Sequence, residues 1–380
     1  MPRRSTANGF FPSEVQARFS PALVFNRKLK IVLISFVLCA SFIGLWKIRE
    51  RAQLQLEEER ALLERQNVVP FEKRLCPALT STELTVWQGF RDSRAVTRFK
   101  DSYFVATDGG LVELNPSGVL LRHYSVLDGL PESDLLSLSS FNSKLFIGTR
   151  TRGLVAFDGE RFESYRWTDR VPQAINALFE DAGRLLIGTT AGGLIEFDGQ
   201  QFREIKVGAD HKRLLQVNYL SKSGARLFVG TFADGLWVEE GAHWSQFTLA
   251  DGLLSNRIVG VVANREALFV GSDFGLAVAP FSSLANQTEP TSAKRFRTVA
   301  TLPSLSGMVQ FESDILLCKD DGKTFALSAN ADLSRLEVNA IDWKRPAGTT
   351  GCRLAVLGHD VREVGREPIH RRVVRRRQTI

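Results

Sequence analysis

The chain has 380 residues but only 5 histidines, 4 cysteines and 2 methionines, and this scarcity excludes several chemistries at once. His123, His211, His243, His359 and His370 have no neighbours at the spacing of a metal site, and no C-x-x-C pair occurs. The G-x-S-x-G turn of a serine hydrolase is absent, as are a phosphate-binding loop and a calcium loop. The sequence therefore predicts no metal and no cofactor, and it assigns no catalytic residue.

Positive charge is missing where a nucleic-acid reader needs it. The formal charge of +7 comes from the ends. Residues 1–47 carry Arg3, Arg4, Arg18, Arg27, Lys28, Lys30 and Lys47 against Glu14, a net +6, and residues 368–380 add five arginines. The body between them is mildly acidic, so no nucleic-acid partner is expected. What the chain does have is 30 glycines and 26 phenylalanines, a balance that suits short strands joined by tight turns.

Ile31 to Trp46 reads IVLISFVLCASFIGLW, without a charge and bracketed by Lys30 and Lys47. As a helix it spans roughly 24 Å, short of the ~30 Å hydrocarbon core, and Leu29 with snorkelling lysines closes most of the gap. The polar leader is long and no A-x-A cleavage site follows, so the run reads as an uncleaved transmembrane anchor. Nearby Lys and Arg counts tie across it, and Arg3, Arg4 and Arg18 tip the N-terminus inward. Arg49 to Gln66 is rich in helix formers and reads first as a solvated spacer helix, secondly as a coiled-coil stalk forming a homodimer. The expected organisation is a basic cytoplasmic leader (1–28), the anchor (29–47), a juxtamembrane helix and linker (48–82), an all-β domain (83–367) and a basic tail (368–380).

The all-β domain is announced by internal repetition. LFIGTRTRGLVAFDGERFESY (145–165), LLIGTTAGGLIEFDGQQFREI (185–205) and LFVGTFADGLWVEEGAHWSQF (227–247) align with LFVGSDFGLAV (268–278) and YFVATDGGLVEL (103–114). The small residue ending the first strand recurs at Ala106, Gly148, Gly188, Gly230 and Gly271, with fainter copies at Cys318 and Gly358. Apolar runs of four to six residues bounded by Gly and Asp are strands, not solenoid helices. In the third unit Ile175 to Glu180, Arg184 to Gly188, Leu194 to Phe197 and Phe202 to Lys206 read as strands A to D, with Asp158-Gly159 and Asp198-Gly199 as type I′ hairpin turns. One such sheet cannot bury both faces alone, so the units must stack into a closed ring. The seven aligned positions predict a β-propeller of seven four-stranded blades, closed by an outer strand at Leu84 to Gln88 or, in competition with it, at His370 to Arg377.

LFIGTRTRGLVAFDG, LLIGTTAGGLIEFDG and DGLLSNRIVGVV resemble the two-component regulator propeller repeat, with Asp251-Gly252-Leu253-Leu254-Ser255-Asn256 matching its opening segment. The resemblance covers about residues 84–330 and departs at the repeat's tryptophan, replaced here by Phe146, Leu186, Phe228 and Phe269. In that family the propeller is the periplasmic sensing half of a bacterial histidine kinase, and no kinase segment is present in these 380 residues. The resemblance implies an extracytoplasmic binding scaffold at the bacterial inner membrane, single-pass, with the propeller in the periplasm.

The expected site is the channel mouth where the B–C and D–A loops converge. It offers Asp108, Arg150, Arg152, Arg170, Phe232, Asp234, Asp273, Phe274, Lys319 and His359. Arginines beside Phe232 and Phe274 suit an anionic or carbohydrate-like ligand. Ring closure would also bring Cys76 and Cys352 together, which predicts a latching disulfide in an oxidising compartment. The leading function is a non-catalytic sensor or scaffold that binds an envelope protein or ligand. The alternatives are a propeller lyase or hydrolase at the channel mouth and a structural scaffold of an envelope complex.

Overall fold

Apolar strands of four to seven residues, separated by tight turns, pair with their sequence neighbours because each hairpin satisfies its backbone groups locally. In the computed structural model this produces six antiparallel four-stranded blades. Residues 27–65, 67–78, 93–169, 174–241, 243–284, 294–311, 314–321, 323–328, 336, 338–341, 354–357 and 360–363 are described. The chain divides into two units, Met1–Leu62 and Leu63–Ile380.

Ile31–Trp46, in the first unit, belongs to one helix, Arg27–Arg65, whose last three residues fall in the second unit. Among the described residues no helix is long and apolar enough to cross a membrane. The expected transmembrane anchor is thereby corrected: the sixteen-residue run is short for a bilayer and runs without a break into the charged stretch Arg49–Arg65.

In the second unit, strands A to D of blade 1 are Ser93–Phe99, Ser102–Thr107, Gly110–Leu114 and Leu120–Tyr124. Blade 2 is Leu135–Phe141, Lys144–Thr149, Leu154–Phe157 and Phe162–Trp167. Blade 3 is Ile175–Asp181, Arg184–Thr189, Leu194–Phe197 and Phe202–Val207, so its strands lie where the repeat places them. Blade 4 is Val217–Ser223, Arg226–Thr231, Leu236–Glu240 and His243–Phe247. Blade 5 is Ile258–Ala263, Ala267–Ser272, Gly275–Pro280 and Arg297–Thr301, and blade 6 is Leu305–Phe311, Asp314–Lys319, Thr324–Ser328 and Asn339–Ile341.

Strands A pack side by side around the axis, and the ring passes from blade 6 to blade 1 through Leu354–Leu357, which touches strand A of both. That strand pairs with Asp360–Glu363 alone among the described residues, a two-stranded sheet. The expected seven four-stranded blades are therefore corrected to six. After the seventh repeat the sequence turns arginine-rich instead of supplying further alternating apolar strands. Leu84 to Gln88 and His370 to Arg377, the two candidates for a closing strand, lie outside the described residues.

The stretch read as a linker is instead a strap. Val68–Val69 pairs with strand D of blade 3, and Phe71–Cys76 pairs with strand D of blade 2 over six residue pairs. Two blade edges are thus covered by the chain's own backbone, which removes open pairing groups from solvent. Val69 is 1% exposed. Phe71 packs edge-on to Phe202, ring centroids 4.7 Å apart, and against Tyr165 at 5.8 Å. Glu163 of blade 2 takes Lys73 of the strap at 2.9 Å and Lys144 on its other oxygen.

The small residue ending strand B is explained by contact between blades. A Cβ on Gly148 would stand 2.5 Å from the carbonyl oxygen of Ile175, the first residue of the next strand A, and also against Ser137 Oγ. The Thr that follows faces inward: Thr107, Thr149, Thr189 and Thr231 are buried and donate from Oγ1 to the carbonyl of the B–C loop glycine at 2.7–2.9 Å. The I-G-T signature is a packing device joined to a loop clasp. The turn assignments shift in detail. Type I′ geometry, with both central φ positive, occurs at Asn142-Ser143 and Ala182-Gly183 in the A–B hairpins. At Asp158-Gly159 and Asp198-Gly199 only the glycine has positive φ, and the aspartate Oδ1 accepts two following backbone N–H groups.

Candidate binding site

Every strand A carries a register shift at its second residue, between Ser93 and Ala95, Leu135 and Ser137, Ile175 and Ala177, Val217 and Tyr219, Ile258 and Gly260, and Leu305 and Gly307. A bulge re-aims the extra side chain. Six residues at the B–C end of the inner strands are affected: Arg94, Leu136, Asn176, Asn218, Val259 and Ser306. Each is partly exposed and follows a buried residue. At this end of the inner strands these positions carry one guanidinium, two amides, one hydroxyl and two aliphatic groups; the Arg94 side chain is only 10% exposed, and Val259 packs against the core of blades 5 and 6. The loop-based sequence reading missed all six. The signal was there, as a variable residue between an aliphatic or Ser and a small or aromatic one at each repeat.

Two clusters flank this ring. Between blades 1 and 2, Asp134 receives Arg94 and Arg150, and Arg94 also donates to the Leu135 carbonyl at 3.1 Å. Burial pushes the Asp134 carboxyl up, but the Arg94 and Arg150 guanidiniums outweigh it and hold the group below the usual carboxylate range. Glu132 accepts the backbone N–H groups of Thr151 and Arg152 at 2.8 and 3.0 Å, fixing the loop that carries Arg150. Between blades 4 and 5, the Arg257 guanidinium lies 4.7 Å over the Phe232 ring and its Nη1 is 3.9 Å from Asp273 Oδ2. Asp273 Oδ1 is buried without a hydrogen-bond partner among the described residues. Phe232 and Phe274 are 45% and 54% exposed.

The expected site residues separate accordingly. Arg150 and Arg152 lie on blade 2, and the arginine beside Phe232 is Arg257, which the sequence reading did not select. Asp108 sits in the B–C turn of blade 1. Asp234 is held by Lys212 at 3.1 Å and by the Thr231 hydroxyl through its own N–H at 2.8 Å. Lys319 pairs with Asp321 at 3.4 Å on blade 6. Arg170, His359 and Cys352 lie outside the described residues. The Cys76–Cys352 latch is corrected, because Cys76 carries a free thiol while Cys318 is disulfide-bonded. Among the described residues no group of three metal-ligating side chains occurs.

The D-G-L motif turns out to be architectural. Ser125 with Asp128, and Thr248 with Asp251, form reciprocal capping boxes on 3₁₀ turns, each ended by a left-handed glycine, Gly129 or Gly252. Leu130 and Leu253 then plug the core.

No protein-family model matches the chain, and no curated protein matches it by sequence. Among solved structures it resembles the extracellular domain of a putative hybrid two-component system protein from B. thetaiotaomicron, with TM-score 0.56 and 13% identity over 78% of this chain and 41% of that one. The extracellular domain of a putative one-component system protein from the same organism gives TM-score 0.56 and 11% identity, over 77% of this chain and 39% of that one. Catalytically inactive virginiamycin B lyase from Staphylococcus aureus, solved with quinupristin, gives TM-score 0.53 and 12% identity over 78% and 97%. This chain thus spans about two fifths of the first two proteins. At these identities the likeness is one of fold: an all-β propeller.

Proposed function

We propose that this protein is a non-catalytic binding propeller, a sensor or scaffold that takes a protein or ligand at the mouth where the B–C and D–A loops meet, and that it works outside the cytoplasm. The observation that carries the reading is the buried Asp273 Oδ1, without a hydrogen-bond partner among the described residues, beside Arg257 and near two exposed phenyl rings. A buried carboxylate oxygen without a donor is costly, and a bound donor flanked by apolar contacts removes that cost. The position outside the cytoplasm is supported by the fold shared with extracellular domains of putative signalling proteins.

The test is affinity capture with the full chain from an extract of its own cells, comparing wild type with Asp273→Ala and Phe274→Ala. A partner or ligand should be recovered with wild type and fall at least about tenfold with either variant, a loss of about 1.4 kcal/mol. Equal recovery by all three proteins removes the site from the reading.

A further inference from the structure

The face opposite that mouth, formed by A–B hairpins and C–D connections, holds an open cleft of about 420 Å³ between blades 4 and 5. This is within the roughly 300–1,000 Å³ of ligand pockets. It is walled by the turn at Ser223 and Gly224, by Arg226 and Glu240 of blade 4, and by Arg265 and Phe281 of blade 5. Blades 2 and 3 close strands C and D with the short turns 158–161 and 198–201, whereas in blade 5 strand D begins only at Arg297 and strand C is followed by the helical turn Phe281–Leu284. Long connections of this kind are often functional.

The charges in the cleft do not cancel. Arg226 places Nε and Nη2 on the two oxygens of Glu240, each at 2.9 Å, and its guanidinium lies 4.4 Å over the Phe281 ring. That pair is internally neutral and fixed. Arg265 is exposed and makes no hydrogen bond or ion pair among the described residues, which leaves the described lining of the cleft one positive charge in excess. Space is open above the turn, since a Cβ on Gly224 would meet nothing within 4 Å.

We propose that this cleft docks an acidic peptide segment of a partner protein. A carboxylate of the segment pairs with Arg265, and an adjoining apolar side chain lies on Phe281. An extended segment suits the site because the cleft is open to solvent and offers both a phenyl surface and a guanidinium with no acidic partner among the described residues.

The experiment uses the full chain and a fluorescein-labelled hexapeptide of alternating aspartate and phenylalanine, with lysine replacing aspartate in the control, read by fluorescence anisotropy. The acidic peptide should bind with a dissociation constant below about 1 mM, and the lysine peptide should bind at least tenfold more weakly. Arg265→Glu should weaken the acidic peptide about tenfold or more, and Arg265→Lys should retain most of the binding. Gly224→Asn, which adds bulk while tolerating the positive φ of +59° there, should block the cleft. Thermal melts of each variant confirm folding. Absence of binding below 1 mM, equal binding of both peptides, or indifference to both Arg265→Glu and Gly224→Asn overturns the proposal.

Discussion

Gly148 of blade 2 and Ile175 of blade 3 fit together as hole and wall: the Ile175 carbonyl would lie 2.5 Å from a Cβ on Gly148. Backbone on the far side cannot rotate away, and Ser137 closes the same space. Gly271, at the equivalent place in blade 5, faces Met308 Sδ at 3.2 Å, the end of a flexible side chain. Gly148→Ala should therefore lower unfolding free energy by about 2–3 kcal/mol, while Gly271→Ala should cost under about 1 kcal/mol. Urea denaturation of the two variants side by side checks the contrast, and equal losses would remove the blade-contact explanation of the repeat's glycine.

The strap makes a second prediction. Phe71 inserts between Tyr165 of blade 2 and the stacked pair Phe197 and Phe202 of blade 3, so one side chain ties residues 68–76 to two blades. Phe71→Ala should cost about 2–4 kcal/mol, somewhat less than deletion of a fully buried phenyl ring because Phe71 is only partly buried. It should also speed hydrogen exchange in strand D of blade 2, the partner of Phe71–Cys76. Unchanged protection from Phe162 to Trp167 would show that the strap does not shield that edge.

The repeat was legible because successive units put the same residue types to the same use, with apolar runs in strands B and C of blades 1 to 5, Gly-Thr at the B–C clasp of blades 2 to 4 and Asp-Gly at the C–D turns of blades 2 and 3. The strap was not, because FEKRLC alternates poorly and its strand character comes from an edge supplied by residues far along the chain. The blade count was overread for a related reason: a spacing match at Gly358 locates a repeat but does not show that four strands follow. The binding face was half legible. Phe232, Asp273 and Phe274 were visible as loop residues, yet Arg257 takes its place through its contacts with Phe232 and Asp273, and the six positions from Arg94 to Ser306 follow a residue pattern whose meaning only the bulges reveal. The D-G-L motif, read in the sequence as the opening of a propeller repeat, proved to be a cap.

Acid sensitivity should be set at the junction of blades 3 and 4. Asp181, its side chain 5% exposed, binds Lys222 of the neighbouring blade and Arg184 at 3.1 Å. Burial raises the Asp181 carboxyl, but Lys222 and Arg184 outweigh it and hold it below the usual range. A carboxyl depressed in the folded state stabilises at pH above its unfolded value, near 4, and that contribution is lost as pH falls through the lower folded value. Asp181→Asn should lower stability at pH 7 by about 1.5–3 kcal/mol, the scale of hydrogen bonds to a charged group, and should flatten the decline below pH 4. Denaturation midpoints from pH 7 to 2 test this. A variant whose acid limb runs parallel to wild type would assign the sensitivity to other carboxylates.

Cysteine state gives the last prediction. Cys39 and Cys76 are free thiols and Cys318, buried in strand B of blade 6, is disulfide-bonded. With 4 cysteines in the sequence, Cys352 is the remaining candidate partner within the chain. Thiol titration of the unreduced, denatured protein should count two free groups, and non-reducing peptide mapping should recover Cys318 joined to Cys352. A Cys318–Cys352 bridge would restrain the unfolded chain, worth about 3–4 kcal/mol in the loop-entropy account. Reduction, or Cys318→Ala, should lower stability by that order and loosen Leu354–Glu363 first, because that hairpin pairs with no other strand among the described residues. Four titratable thiols in protein isolated without reductant would mean that the bridge does not form in the protein's own compartment, and would count against a position outside the cytoplasm.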